Sequence, residues 1–323
     1  MDYLYTLQCI RESTPDFVNM IFYLISEVVL KGGVVVAAYI YWCINKSEGM
    51  TILLGYTTSY SVNQLIKNTA CVYRPWIKDS RLYVAPSAAS SATGYSFPSG
   101  HTVTAASIFG GIGIWQRNRK WLTFLMFFIV LLTAFSRNWL GAHTMADVLT
   151  AIVDTALIMC LIFVIKYFAV RSNKLQTVLC FGGIALSIII LIILEFKNYP
   201  MDYTAEGVLL VNPYDMKTDC YTACGMSCGA LLGWWLEKRF VNFEIQGVWW
   251  RKLIRFLCGF VLVFGFYLTG GKIFSFMGPH FSHLAKYFIM IFLATFIYPL
   301  FIKLVQKKLA VKAEASTVEK AGK

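Results

Sequence analysis

Charge is what this sequence has least of. Only 14% of its 323 residues are Asp, Glu, Lys or Arg, and 58% are hydrophobic. Soluble domains carry roughly 25% charged and about 45–50% apolar residues, so an ordinary water-soluble domain is excluded and a membrane protein is expected. Acids are scarcer than bases, 17 against 29, which leaves a formal charge of +12. A basic excess can serve nucleic acid. Here, however, the cations sit in short runs between apolar segments, which is the pattern of membrane topology, and no nucleic-acid partner is expected. No CxxC pair occurs among the nine cysteines. Cys220, Cys224 and Cys228, spaced four apart, share one face of a helix, and small packing residues are a better reading of them than a metal site. No polar linker divides the chain and no internal repeat is visible, so a single polytopic bundle is expected. Met1 to Asp16 lacks the basic-then-apolar pattern of a signal peptide, which leaves insertion to the spans themselves.

Long apolar runs are present in number. A spanning helix needs about 20 apolar residues, and nine stretches qualify as candidates: 28–45, 50–67, 99–116, 121–136, 147–165, 176–194, 221–237, 253–270 and 286–304. The fold class that follows is all-α, a membrane bundle of about nine helices. Residues 10–27 read as an amphipathic surface helix joined to the first span, giving a surface segment 1–27, a membrane domain 28–306 and a polar, disordered tail 307–323. If the loops after the odd-numbered spans face the cytoplasm, they hold 18 of the 29 basic residues. The positive-inside rule then puts the N-terminus outside and the C-terminus in the cytoplasm. Glu27 and Lys31 enter the first span four apart, acid first, and read as a self-neutralising pair near the interface. Asp154 lies mid-span, seven residues after Asp147. A buried membrane acid is either functional or a hydrogen-bonded structural group.

Three polar clusters interrupt this apolar background: Lys67 to Arg74-Pro75, then Phe97-Pro98-Ser99-Gly100-His101, then Ser136-Arg137 through His143 to Asp147. In the topology counted from hydropathy and loop charge, all three fall on the non-cytoplasmic face. Lys67, Arg74 and Arg137 are three cations at one surface, and the planar fork of arginine matches phosphate oxygens in pairs. Pro98 and Ser99 are helix-start residues, and Gly100 lets the backbone come close to a ligand. A helix N-terminus offers free N–H groups and partial positive charge to an anion. The set therefore reads as a receptor for a phosphoryl group. His143 and Asp147, four apart, meet on a helix. A carboxylate on one imidazole nitrogen fixes the tautomer and makes the other nitrogen nucleophilic, so His143 can attack phosphorus and form a phosphohistidine. His101 is placed to protonate the leaving alkoxide and then to activate water. No carboxylate cluster of metal-ligand type is evident, and neither a metal nor another cofactor is expected.

The pattern KxxxxxxRP, PSGH, SRxxxxxHxxxD resembles the three-part signature of the type 2 phosphatidic acid phosphatase superfamily, with every defining position present between Lys67 and Asp147. The resemblance implies His143 as nucleophile, Asp147 as its partner and His101 as acid and base. It implies phosphate binding by Lys67, Arg74, Ser99, Gly100 and Arg137, and a phosphatase core made of the first six spans. The span count and terminus orientation look like glucose-6-phosphatase. The stretch His143-Thr-Met-Ala-Asp147-Val looks more like the sphingoid-base phosphate phosphatases. The substrate expected is a phosphorylated lipid or another small phosphate ester, drawn from the membrane or from water. A phosphotransferase with the same first step, and a lipid-binding or transport protein that keeps the fold, are the competing readings. His280 and His283 read as interfacial, Trp234, Trp235, Trp249 and Trp250 as an aromatic belt, and Gly110, Gly111 and Gly113 as close helix packing. The sequence leaves the oligomeric state open.

Overall fold

The computed structural model describes the backbone of residues 1–321 and the side chains of residues 1–311. It is almost wholly helical. A short helix α1 (Asp2–Glu12) precedes α2 (Asp16–Tyr39), which runs on through a π turn at Ile40–Ile44. Next come α3 (Lys46–Ala70), the single turn α4 (Pro75–Lys78), and a rod made of α5 (Gly100–Ala105), a π turn and α6 (Gly111–Trp115). α7 (Lys120–Trp139), α8 (Met145–Ala169) and α9 (Asn173–Glu195) follow. The second half holds α10 (Pro213–Leu236), α11 (Trp249–Ile273), α12 (Pro279–Phe292) and α13 (Tyr298–Ala321). α10 and α12 each extend through a π turn, and the turn after α12 leads directly into α13.

Local chemistry sets these starts and stops. Asn45 caps α3 by accepting from the Glu48 amide at 3.1 Å, and α3 ends where Cys71 turns left-handed at φ 48°. α4, α10 and α12 each begin on a proline, whose missing N–H costs nothing in a first turn. Thr144 and Asp147 form a reciprocal capping box at the start of α8.

Each of the nine apolar stretches falls within one of these rods to within a residue at either end, but among the described residues six rods are long and apolar enough to cross a membrane by length and composition: Asp16–Ile44, Lys120–Trp139, Met145–Ala169, Asn173–Glu195, Trp249–Ile273 and Pro279–Val311. The other three are α3, the 100–115 rod and α10, and their polarity has a structural reason. They run through the interior, where Thr51, Thr57, Ser59, Asn63, Gln64, Thr102, Thr104, Ser107 and Ser227 are buried. Polar groups are tolerated in a bundle when they face protein rather than lipid. The outer rods carry the opposite pattern, with Ile188, Ile189, Ile192, Ile193, Val261 and Leu268 exposed, as a hydrocarbon solvent requires.

α3 packs on α2, α5, α8 and α10 and so joins the two halves. The main apolar core links Trp42, Ile52, Tyr56, Ile108, Met226, Ile291 and Tyr298. The π turn 293–297 has a use there: the carbonyls of Ala294 and Thr295 accept from Trp42 Nε1 and Tyr41 Oη, each at 2.9 Å. The close packing expected at three glycines is present at Gly111 and Gly113, against Met159 and Phe127, but not at Gly110, where a Cβ would meet nothing within 4 Å. A tighter stripe is Gly225, Gly229 and Gly233 on α10, which lies against the backbone of Leu284 and Phe288 and the Thr295 side chain. Cys220 and Cys224 are buried with free thiols.

Both terminal segments differ from expectation. The surface helix is α1 alone, because Ser13 to Pro15 interrupts the chain and the spanning rod starts at Asp16. At the other end α13 continues as helix to Ala321 where a disordered tail from 307 was expected. Lys, Ala and Glu are strong helix formers, so a polar composition there does not oppose helix. Residues 322 and 323 lie outside the described residues.

Candidate active site

The C-terminal ends of α3 and α7 and the N-terminal ends of α5 and α8 converge at one end of the bundle. The opposite end gathers a different set of charges, with Lys46 on Glu237 at 3.3 Å and Lys166 on Glu48. At the converging end the polar side chains are withdrawn from the surface: Lys67, Arg74, His101, Arg137, His143 and Asp147 are each 7% exposed or less.

His143 sits in the turn between α7 and α8, which is folded tightly around it. Its amide and that of Ala142 donate to the Arg137 carbonyl, and its own carbonyl accepts from Asn138 Nδ2 at 2.9 Å. The imidazole lies between two groups of opposite charge. Nδ1 is 3.4 Å from Asp147 Oδ2, and Nε2 is 3.0 Å from Arg74 Nη1. A guanidinium can only donate, so Nε2 presents its lone pair and Nδ1 carries the proton. That is the tautomer a nucleophilic Nε2 needs. Burial, reinforced by the Arg74 cation, holds the pKa of His143 well below the ordinary histidine range despite Asp147, so the ring is neutral at physiological pH. Asp147 is fixed by the Thr144 amide at 2.7 Å and by the Ser96 hydroxyl, and its carbonyl accepts from the Ser99 amide at 3.1 Å. This last bond ties the second polar cluster to the third.

Arg74 is anchored by backbone. Nε and Nη2 donate to the carbonyls of Gly94 and Thr93, and Nη1 donates to that of Ala142. Burial, and then the Arg137 charge, push its pKa down to about 9, which still leaves it cationic. Arg137 is fully buried. Its Nη1 donates to Ser26 Oγ at 3.3 Å, while Nε and Nη2 have no partner among the described residues. Lys67 makes no side-chain hydrogen bond or ion pair among the described residues. A buried cation left with free donors is suited to an anion. Ser99 caps α5, and a Cβ on Gly100 would meet nothing closer than Asn63 Oδ1 at 4.0 Å, so the first turn of α5 is open to an approaching group. His101 bonds through Nε2 to Glu27 Oε1 at 3.1 Å.

All eight residues singled out in the sequence thus lie at one end of the bundle. Several others there were not anticipated. Ser26 and Glu27 come from α2, Ser96 from the 71–99 loop, and Asn63 from α3, where its Nδ2 holds the Pro98 carbonyl at 3.3 Å. Arg11 of α1 clamps the carbonyls of Trp139 and Tyr83 at 3.1 and 2.9 Å, fastening the surface helix over the α7–α8 turn. Asp154 accepts from its neighbour Thr155. His280 stacks on Tyr221 and lies tilted against Tyr214, both of α10. Among the described residues no group of three or more His, Cys, Asp or Glu is placed to hold a metal ion. A cleft of about 360 Å³ lies apart from this chemistry. It runs between α3, α8, α9 and α10, with Leu54, Val62, Leu186 and Leu231 along its walls, and carries none of the catalytic candidates.

Residues 48–195 match the family described as the PAP2 superfamily, and residues 221–311 match the PAP2 superfamily phosphatase, transmembrane extension. The chain belongs to the PAP2 superfamily. It is an integral membrane protein of that phosphatase family. Phosphatidylglycerophosphatase B of Bacillus subtilis (strain 168) is 27% identical over 151 residues, covering 44% of this chain and 68% of the relative. No solved structure matches. All four helix ends that build the site lie inside the 48–195 match, whereas Ser26 and Glu27 lie outside it.

Proposed function

We propose that this PAP2 protein hydrolyses a lipid phosphate ester on the non-cytoplasmic face through a covalent phosphohistidine, without a metal. The observation that carries this reading is the placement of His143 Nε2, 3.0 Å from the Arg74 guanidinium, with Asp147 behind Nδ1. The nucleophile and the cation that would hold the phosphoryl oxygens are already adjacent. In the first step Nε2 attacks phosphorus, the P–O bond to the lipid breaks, and the leaving oxygen takes a proton from His101. Arg74, Arg137, Lys67 and the free N–H groups at the start of α5 oppose charge on the equatorial oxygens. In the second step water gives a proton to His101 and attacks phosphorus, the P–N bond breaks, and inorganic phosphate and neutral His143 are regenerated.

The lipid class rests on the family and on the relative named for phosphatidylglycerophosphate. The sidedness rests on loop charge, because the end opposite the site carries Lys46, Lys166, Lys238 and Lys303. The test is phosphate release by the purified protein and by His143→Ala. The substrates are phosphatidylglycerophosphate, phosphatidate, sphingosine phosphate, undecaprenyl diphosphate and glucose 6-phosphate, with and without EDTA. Release from a lipid that disappears in the variant and survives EDTA supports the proposal. Activity of the variant within tenfold of wild type removes His143 as nucleophile, and loss in EDTA removes the metal-free mechanism.

A further inference from the structure

The site holds two carboxylate–imidazole pairs, and only one of them belongs to the signature. His143 has Asp147. His101 has Glu27, which lies 74 residues earlier in the chain on α2. In the sequence Glu27 reads as half of a surface ion pair with Lys31, and that pair exists at 2.9 Å. The partners are nevertheless unlike. Lys31 is 75% exposed at its side chain, and Glu27 is 10% exposed. Oε2 is turned out to Lys31, while Oε1 is turned in to His101 Nε2 at 3.1 Å. A carboxylate withdrawn from solvent and shared between a surface cation and a buried imidazole does more than neutralise an interface.

Proton transfer explains why such a group is needed. A general acid must hold a proton until the leaving group departs. His101 has to do so in a site assembled from Lys67, Arg74 and Arg137, all of which repel a protonated imidazole. Glu27 is the counter-charge on the face of His101 turned toward α2. Its neighbour Ser26 holds Arg137 Nη1 at 3.3 Å, so one turn of α2 supports both the acid–base histidine and a phosphate-binding cation. Because Glu27 occupies Nε2, proton exchange with substrate falls to Nδ1, which makes no hydrogen bond among the described residues.

We infer that Glu27 is a positioning residue for His101, fixing its tautomer and stabilising its protonated form in both half-reactions. The inference rests on the phosphatase reading above, and it assigns a functional residue to a helix that precedes the matched phosphatase segment.

A general acid matters in proportion to how badly the leaving group needs a proton. The experiment therefore compares a lipid alkyl phosphate with an aryl phosphate such as 4-nitrophenyl phosphate, for wild type, Glu27→Gln and His143→Ala, by rapid mixing. For Glu27→Gln the expected result is a loss of about 100-fold on the alkyl ester, near the lower end of what general acid–base catalysis contributes. On the aryl ester, whose phenolate leaves unaided, formation of the phosphoenzyme should fall by less than about fivefold. Its breakdown, which still needs His101, should slow by about 100-fold, giving a burst of nitrophenol equal to the enzyme present. Equal losses on both esters with no burst would reduce Glu27 to a structural residue, and unchanged rates on both would remove it altogether. If Glu27→Gln does not fold, Glu27→Asp keeps the charge and should show the same split between esters in smaller measure; no split there overturns the inference. Turnover by His143→Ala would instead refute the phosphatase reading beneath it, so the two failures are distinguishable.

Discussion

Arg137 should weaken the protein that contains it. Its guanidinium is fully buried, with one hydrogen bond to Ser26 Oγ and two nitrogens, Nε and Nη2, lacking a partner among the described residues. A buried donor left unsatisfied costs about 1–3 kcal/mol, and more when charged, so the two nitrogens together cost about 2–6 kcal/mol. Arg137→Met keeps much of the side-chain volume and removes the charge. The variant loses a hydrogen bond worth about 1 kcal/mol, but Ser26 keeps its bond to the Tyr23 carbonyl at 3.0 Å and is not stranded. In the absence of phosphate or vanadate the variant should thus be more stable than wild type by about 1–5 kcal/mol. Added vanadate should reverse the order. At 100 times its dissociation constant a ligand stabilises the state it binds by about 2.7 kcal/mol, and the variant should forfeit most of that gain together with about 100- to 1000-fold in activity. Thermal and denaturant unfolding in detergent, with and without vanadate, measures both effects. A folded Arg137→Met protein that is less stable than wild type by about 2 kcal/mol without ligand would refute the reasoning. The guanidinium would then be a structural tie rather than an anion receptor.

Three further outcomes follow from other parts of the molecule. Gly229→Ala places a Cβ against the Phe288 carbonyl, so it should force α10 from α12 and cost about 1–3 kcal/mol; an unchanged unfolding midpoint would show that the two helices have slack. The pKa of His143 is lowered in the folded state, so below the unfolded value of about 6.5 the unfolded chain takes up a proton that the folded one refuses. Stability should therefore fall as pH drops from about 6.5, by up to about 1.4 kcal/mol per pH unit; His143→Asn should flatten that slope, and parallel slopes would contradict the assignment. A tag at the C-terminus should resist external protease in right-side-out vesicles, and its cleavage there would reverse the orientation.

How much of this was legible in the sequence depends on range. Hydropathy reports contact with lipid, so the outer rods such as 173–195 and 249–273 stand out. The interior rods are quieter because residues such as Asn63, Gln64 and Ser227 face protein. The pairing of His143 with Asp147 was expected from two residues four apart on one helix, whereas His143 lies in the turn before α8 and meets Asp147 beside the Thr144–Asp147 capping box, which the sequence could have shown. Spacing rules reach no further than a turn or so. Ser96 meets Asp147 across 51 residues, and Glu27 meets His101 across 74. Nothing local distinguishes those partners from an ordinary loop serine and an ordinary i,i+4 acid. The one available signal was that an acid had entered an apolar run at all. The tail misled for the opposite reason: polarity was taken for disorder, while the same residues favour helix.

The interior helix α3 turns Asn63 and Lys67 toward the site, and a neighbouring face to α10. Ser61 Oγ lies 2.7 Å from Ser227 Oγ and donates to the Ala223 carbonyl, while Ser227 reaches the Thr57 carbonyl at 3.1 Å. A fragment cut at the end of the 48–195 match would strip this polar seam and leave hydroxyls on the wall of α3 with only hydrocarbon to meet. The two matched segments, 48–195 and 221–311, are consecutive in the chain but share one wall, so a cut between them exposes polar groups of each to lipid.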